Sequence, residues 1–181
     1  MEQKEWQSIA KTLFDLQSAY QAIALVDSSY HIKKIMPIKN NGAALDVNLR
    51  LKPSALNGVL QAQQSQSAMI TMPFVWENGQ LGLVLYVPLL TTSTSGPNLD
   101  GLLSGFVLLD TYLSSLLPNY LVNNHNVNVS INGEKIYFGV SEAPIADSDW
   151  TKNASFELQG QTWLIEMQPK QSFLNQAFYT M

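Results

Sequence analysis

The chain has no cysteine among its 181 residues, only two histidines, and charged side chains at just 13%. Each shortage removes a class of chemistry. Without thiols there is no disulfide framework, no thiolate zinc site and no catalytic cysteine, which suits a Gram-negative periplasm as well as a cytoplasm. His31 and His125 lie far apart in turn-like surroundings, and no nucleophile-elbow pattern accompanies them, so neither a triad nor an imidazole metal cluster is expected. The charged fraction is well below the roughly 25% of ordinary domains; Gln, Asn, Ser and Thr supply the polar surface. A net charge of -4 with only ten Lys and Arg, densest at Lys33, Lys34 and Lys39, argues against nucleic acid as a partner. No phosphate cradle is present, since Gly101 and Gly105 interrupt a strand pattern and do not open a helix. Asp147 and Asp149 lack the dense oxygen spacing of a calcium loop. No catalytic residue, metal or cofactor is therefore expected. No run of about eighteen apolar residues exists, and MEQKEWQ has no signal-peptide core.

At 46% hydrophobic the chain can bury one good core, and one domain with an appended helix is expected. Trp6, Ile9, Leu13, Leu16 and Tyr20 recur at steps of three and four, which predicts a helix over 2–20 with one apolar seam. The seam can pack on the domain's own sheet, favoured for its second half, or pair with its twin in a dimer. QAIALVD and HIKKIMPI read as a hairpin around Asp27-Ser28-Ser29-Tyr30, followed by a loop with a short helical turn. Pro53 marks the entrance of the next helix and Ser54 is its expected cap. AMITMPFVWE and LGLVLYVP flank Asn78-Gly79, a strong hairpin signal, with Pro73 suiting an edge or bulged position in the first strand.

GLVLYVPLL and LLSGFVLLD then form two antiparallel strands, joined by TTSTSGPNLD read as a loop. TYLSSLLPNYLV is helical as far as Pro118. Two further hairpins turn at Asn132-Gly133 and at Gly160, with SEAPIADSDWTKN a loop between them.

The ordered features ALVDSSYHIKKIMP, LRLKP before a helix, the hairpin ending LYVPLL, SGFVLLDTYLSSLL and GQTWLIEMQP resemble the CHASE family of extracytoplasmic input domains. The resemblance runs from about Ala22 to Pro169. It implies an α+β fold: a PAS-like antiparallel sheet flanked by helices, with a long N-terminal helix. It divides the chain into a signalling helix over 1–20, a sensor domain over 21–170 and a segment over 171–181 leading towards a membrane helix. Membrane segments are then expected outside both ends, in a periplasmic domain of an inner-membrane protein followed by a diguanylate cyclase or histidine kinase. The partners it implies are a small molecule or a periplasmic protein, and a second copy through the N-terminal helix. A noncatalytic spacer domain of the same kind of receptor is the alternative.

In PAS-like folds the ligand lies between the inner face of the sheet and the elements crossing it. Val84, Tyr86 and Pro88 share one face of their strand; Leu83, Leu85 and Val87 share the other. Tyr86 needs a partner for its hydroxyl if buried, which a pocket supplies more readily than a dry core. The expected ligand contacts are Tyr86, Thr71 with Met69, and Phe106 with Leu108, while Arg50 reaches in from its loop to pair with a ligand carboxylate or with Asp110.

Overall fold

The computed structural model describes residues 3–76, 79–93, 96–139 and 150–179. The chain divides into two compact units, Met1–Leu108 and Leu109–Met181. Both are antiparallel sheets with few helices, the α+β class expected.

The first unit contains α1 (Gln3–Leu16), β1 (Tyr20–Asp27), β2 (Ile32–Met36), two 3-10 turns (Gly42–Ala44 and Leu49–Leu51), α2 (Pro53–Ser65), β3 (Met69–Ile70), β4 (Phe74–Val75), β5 (Leu81–Ser93) and β6 (Gly96–Leu108). Its sheet runs β2-β1-β6-β5-β3, with β4 also on β5. The hairpin signals at both ends of the unit are met. The single strand expected over 68–77 is instead two short pieces, because Pro73 lacks an N–H and breaks the ladder between them. Asn78 lies outside the described residues, while Gly79 takes a positive φ of 80° and its N–H donates to the Trp76 carbonyl.

TTSTSGPNLD does not form the loop expected of it. Leu90, Thr91, Thr92 and Ser93 pair with Leu99, Asn98, Pro97 and Gly96, extending β5 and β6 into a long ribbon. Thr favours extended backbone, and a ribbon edge tolerates Pro97, so the polar composition reports solvent exposure and not a break in pairing.

Directly opposed residues of antiparallel strands point to the same side. Tyr86 faces Ser104 and Val84 faces Phe106, while Ala22 and Ala24 of β1 oppose Phe106 and Ser104. These side chains form the inner face, with Val26, Ile32, Ile35, Val59, Ala62 and Leu102 in the same buried cluster. The alternating residues form the outer face. Ile23, Leu25, Leu103 and Met36 there meet Trp6 and Ala10 of α1.

α1 is shorter than its apolar spacing suggested. It stops at Leu16, and Tyr20 opens β1 opposite Val107, with its ring lying over Gly105. The seam does not divide cleanly into halves: Trp6 is 2% exposed and Ala10 fully buried against the sheet, Leu13 and Phe14 of the second half pack beside them as expected, and Leu16 is 75% exposed. Trp6 is thus unavailable to a pairing seam. Ile9 and Leu16, seven residues apart, stay outward. At α2 the cap also differs. Lys52, not Ser54, holds the N-cap position with Pro53 at the first turn, and no side chain caps the helix.

The β1–β2 turn is organised by Asp27. Its Oδ1 accepts from the Ser29 N–H at 2.9 Å, the Ser29 hydroxyl at 2.7 Å and the His31 N–H at 2.9 Å. Partial burial opposes ionisation, but these donors together with nearby Lys33 outweigh it and hold the carboxyl below its usual range. His31 joins the turn through Nδ1, 3.0 Å from the Ser29 hydroxyl.

The second unit contains α3 (Leu109–Leu116), α4 (Asn119–Asn124), β7 (His125–Ile131), β8 (Glu134–Gly139), β9 (Lys152–Leu158), β10 (Gln161–Pro169) and α5 (Gln171–Tyr179). The helix α3 ends before Pro118 as expected, and α4 starts directly after that residue. The sheet order is β8-β7-β10-β9, matching the two expected hairpins. Val127, Val129, Ile131 and Trp163 are buried, and Lys170 is buried with its ammonium donating to the Val122 carbonyl at 2.7 Å. Asp147 and Asp149 lie outside the described residues.

Two predictions follow from these contacts. Trp6→Ala should destabilise the protein by about 3–5 kcal/mol, whereas Leu16→Ala should change it by less than about 0.5 kcal/mol; urea titration followed by circular dichroism measures both. A depressed folded carboxyl stabilises above the unfolded pKa and loses that contribution as pH falls through the folded value. Asp27→Ala should therefore cost about 1–2 kcal/mol at neutral pH, with the gap to wild type closing as urea midpoints are followed from pH 5 down to pH 2.5.

Candidate functional site

The inner face of the first unit does not close into a dry core. Above β1, β6 and β5, beneath α2 and the two 3-10 turns, lies a cavity of about 520 Å³, within the size range of small-molecule sites. Its floor is Ala22, Val84, Tyr86, Phe106 and Leu108; Phe74, Val75 and Trp76 form one side, and Ala43, Ala44, Val47 and Leu49 another. Lys52, Ser54 and Ala55, from the start of α2, close the rim.

The register of β5 and β6 decides the orientation that the strand pattern alone left open. Val84 and Tyr86 face inward, and the Leu83 side packs away from the cavity. Tyr86 is 1% exposed, and burial alone pushes its phenol far above the ordinary value, so it stays neutral at every physiological pH. α2 reaches it because position 58 is glycine: a Cβ there would come within 3.0 Å of both the Tyr86 ring and the Thr71 methyl. Thr71 is held from both sides by β5. Its N–H donates to the Val84 carbonyl and its Oγ accepts from the Val84 N–H, both at 2.9 Å. The hydroxyl keeps its proton and a second lone pair, so it can donate to a ligand or accept from one.

Trp76 was not anticipated. Its ring lies between Phe74 and Phe106, with centroids 4.7 and 5.6 Å away, and its Nε1 is buried without a hydrogen-bond partner. It packs onto Gly82, where a Cβ would sit 1.8 Å from Nε1. The signal was present in PFVWENG as an aromatic next to a hairpin turn, but only the pairing of β4 with β5 shows which face it covers.

Of the six expected contacts, Thr71, Tyr86, Phe106 and Leu108 line the cavity. Met69 lies opposite Tyr86 on the same face and packs against the core beside the cavity without lining it. Arg50 does not enter. The Asn48 side chain accepts from its N–H at 2.9 Å, fixing a 3-10 turn that sends the guanidinium outward, 4.6 Å over the Tyr30 ring. Tyr30 is buried and donates from its hydroxyl to Gln63 of α2, so Arg50 and Tyr30 brace the wall from behind.

Asn41 is also structural. Its side-chain nitrogen donates to the Pro37 carbonyl at 2.9 Å. Among the described residues no group of three or more His, Asp or Glu is placed to hold a metal ion, and no helix is long and apolar enough to cross a membrane. The second unit has a smaller cavity of about 250 Å³ bordered by His125, Trp150 and Phe173. His125 is engaged there with the Leu121 carbonyl at 3.3 Å through Nδ1.

The contact between Trp76 and Gly82 generates a test. Gly82→Ala should expel the indole from its seat, shift the Trp fluorescence to longer wavelength and cost about 1–3 kcal/mol, while leaving the far-ultraviolet circular dichroism unchanged.

No family model matches the chain, and no curated protein matches it. Solved structures do match in fold. An extracellular ligand-binding receptor from Desulfohalobium retbaense aligns at TM-score 0.62 and 14% identity over 88% of this chain, which spans only 32% of that one. The ligand-binding domain of the Pseudomonas aeruginosa amino-acid chemoreceptor PctC, in complex with GABA, aligns at TM-score 0.56 and 13% identity, covering 92% of this chain and 81% of that domain. The periplasmic domain of RsbU from Chlamydia trachomatis aligns at TM-score 0.56 and 12% identity, over 93% of this chain and 76% of that one. At these identities the likeness is one of fold alone.

Proposed function

We propose that the chain is the extracytoplasmic input domain of a membrane-bound bacterial receptor, which binds a small molecule over the inner face of its first sheet and relays the event through its terminal helices. The cavity carries this reading. A spacer domain has no use for about 520 Å³ of largely apolar space, and larger side chains at Ala22, Ala43, Ala44 or Ala55 would fill it. The fold likeness to a chemoreceptor ligand-binding domain and to a periplasmic domain supports the same reading.

The domain is read as noncatalytic, since its candidate site holds no arranged nucleophile and base. A diguanylate cyclase or histidine kinase, joined through membrane helices, is the proposed output. Two copies are proposed to pair through the outward Ile9 and Leu16 of α1. In this arrangement the CHASE-like order of elements describes a periplasmic module of an inner-membrane protein.

Thermal-shift screening against periplasmic metabolites tests the reading. A compound present at a hundred times its Kd adds about 2.7 kcal/mol, which raises Tm by roughly 5–10 °C in a protein of this size. Ala55→Phe, which places a ring in the cavity, should abolish that rise. A library without any stabilising compound, together with a variant that melts above wild type, would favour the spacer.

A further inference from the structure

We infer that the cavity is built for a small monocarboxylate with an apolar body, held by donors at the start of α2 and beneath it, and that it rejects amines and zwitterionic amino acids. The inference rests on the binding reading above and specifies its ligand. α2 has thirteen residues and no side-chain cap. Pro53 has no N–H, and the first helical bond is from the Leu56 N–H to the Lys52 carbonyl at 2.9 Å. The Ser54 and Ala55 amides are therefore the unused donors of the helix, at its positive end, and both residues line the cavity.

One side chain inside the cavity points the same way independently of the helix. Tyr86, 1% exposed, lines the cavity, and burial keeps its phenol neutral. A neutral phenol can donate its proton, so a ligand acceptor beside it gains a hydrogen bond within the apolar space.

Charge completes the argument. Among the described residues lining the cavity, Lys52 is the sole ionisable group of either sign apart from the neutral Tyr86, and no carboxylate is present. A carboxylate ligand thus meets a cation, helix amides and neutral donors. An ammonium group would be desolvated there with no opposing charge. The aromatic and aliphatic floor takes the apolar body.

Calorimetry with 4-phenylbutyrate, 4-phenylbutylamine, 4-phenylbutanol and phenylalanine isolates the head group, because the first three share one apolar body. The acid should bind at least tenfold more tightly than the alcohol, with the amine and phenylalanine weaker still. Lys52→Gln, at an exposed position, should weaken the acid by about three- to tenfold and leave the alcohol unchanged. Tyr86→Phe, which keeps the ring, should weaken the acid by several-fold. Preferred binding of the amine or phenylalanine, competed by Ala55→Phe, would overturn the inference and leave the cavity reading intact. Binding of none of the four would count against the inference; a metabolite of another class that still stabilises wild type but not Ala55→Phe would show that only the ligand class was mistaken.

Discussion

The pairing of β5 with β6 determines which side of the sheet every other element of the first unit can use. Tyr86 opposite Ser104 and Val84 opposite Phe106 put two aromatic rings on the face that α2 covers. A slip of one residue would send Leu83, Leu85 and Val107 inward instead, and would turn Tyr86 towards the face that α1 covers. The twelve paired positions from Gly82 to Ser93 make such a slip costly, since each would lose its partner at once. β1 joins the same register through β6, so Ala22 and Ala24 inherit their inward direction from that one hairpin.

With the inner face set, the cavity exists because the covering layer is made of small residues. Gly58 lets α2 approach Tyr86 closely at one point, while Ala43, Ala44 and Ala55 keep the rest of the cover from reaching the floor. Close-packed interiors normally leave few voids larger than a water molecule, so space of this size lowers stability unless something occupies it. The wall behind is correspondingly stiff: Arg50 over Tyr30, and Tyr30 bonded to Gln63, tie the 3-10 turn and α2 to the β1–β2 corner. Arg50 contributes to the site by bracing it.

Much of this was readable from residue order. Alternation along LGLVLYVP, the turn formers at Gly79, Gly133 and Gly160, and the Pro53 helix start each act locally, so the hairpins and α2 follow from the chain near them. The lining of the cavity was legible where alternation along the chain determined it, as for Tyr86, Phe106 and Leu108 on their strands and Thr71 just past the end of β3. It was not legible where a turn did. Asn48 capping the Arg50 amide rotates that side chain by a local bond with no periodic signature, and Trp76 acquires its role only from the distant Gly82 and Phe106. The polar ribbon of Thr91–Ser93 misled for a related reason: composition records exposure, whereas pairing is a property of two segments.

β1 connects the cavity to α1 through the alternation of a single strand. Ala22 lines the cavity, and Ile23, next along the chain, packs against Trp6 and Ala10 on the other side. The two side chains share a backbone, so a displacement of β1 that accommodates a bulky group at Ala22 carries Ile23 with it. Trp6 at 2% exposure and Ala10 at zero leave little free volume on that outer face to absorb the movement. α1 must then shift with β1 or resist it, and in either case the helix experiences the occupancy of a cavity that it does not touch.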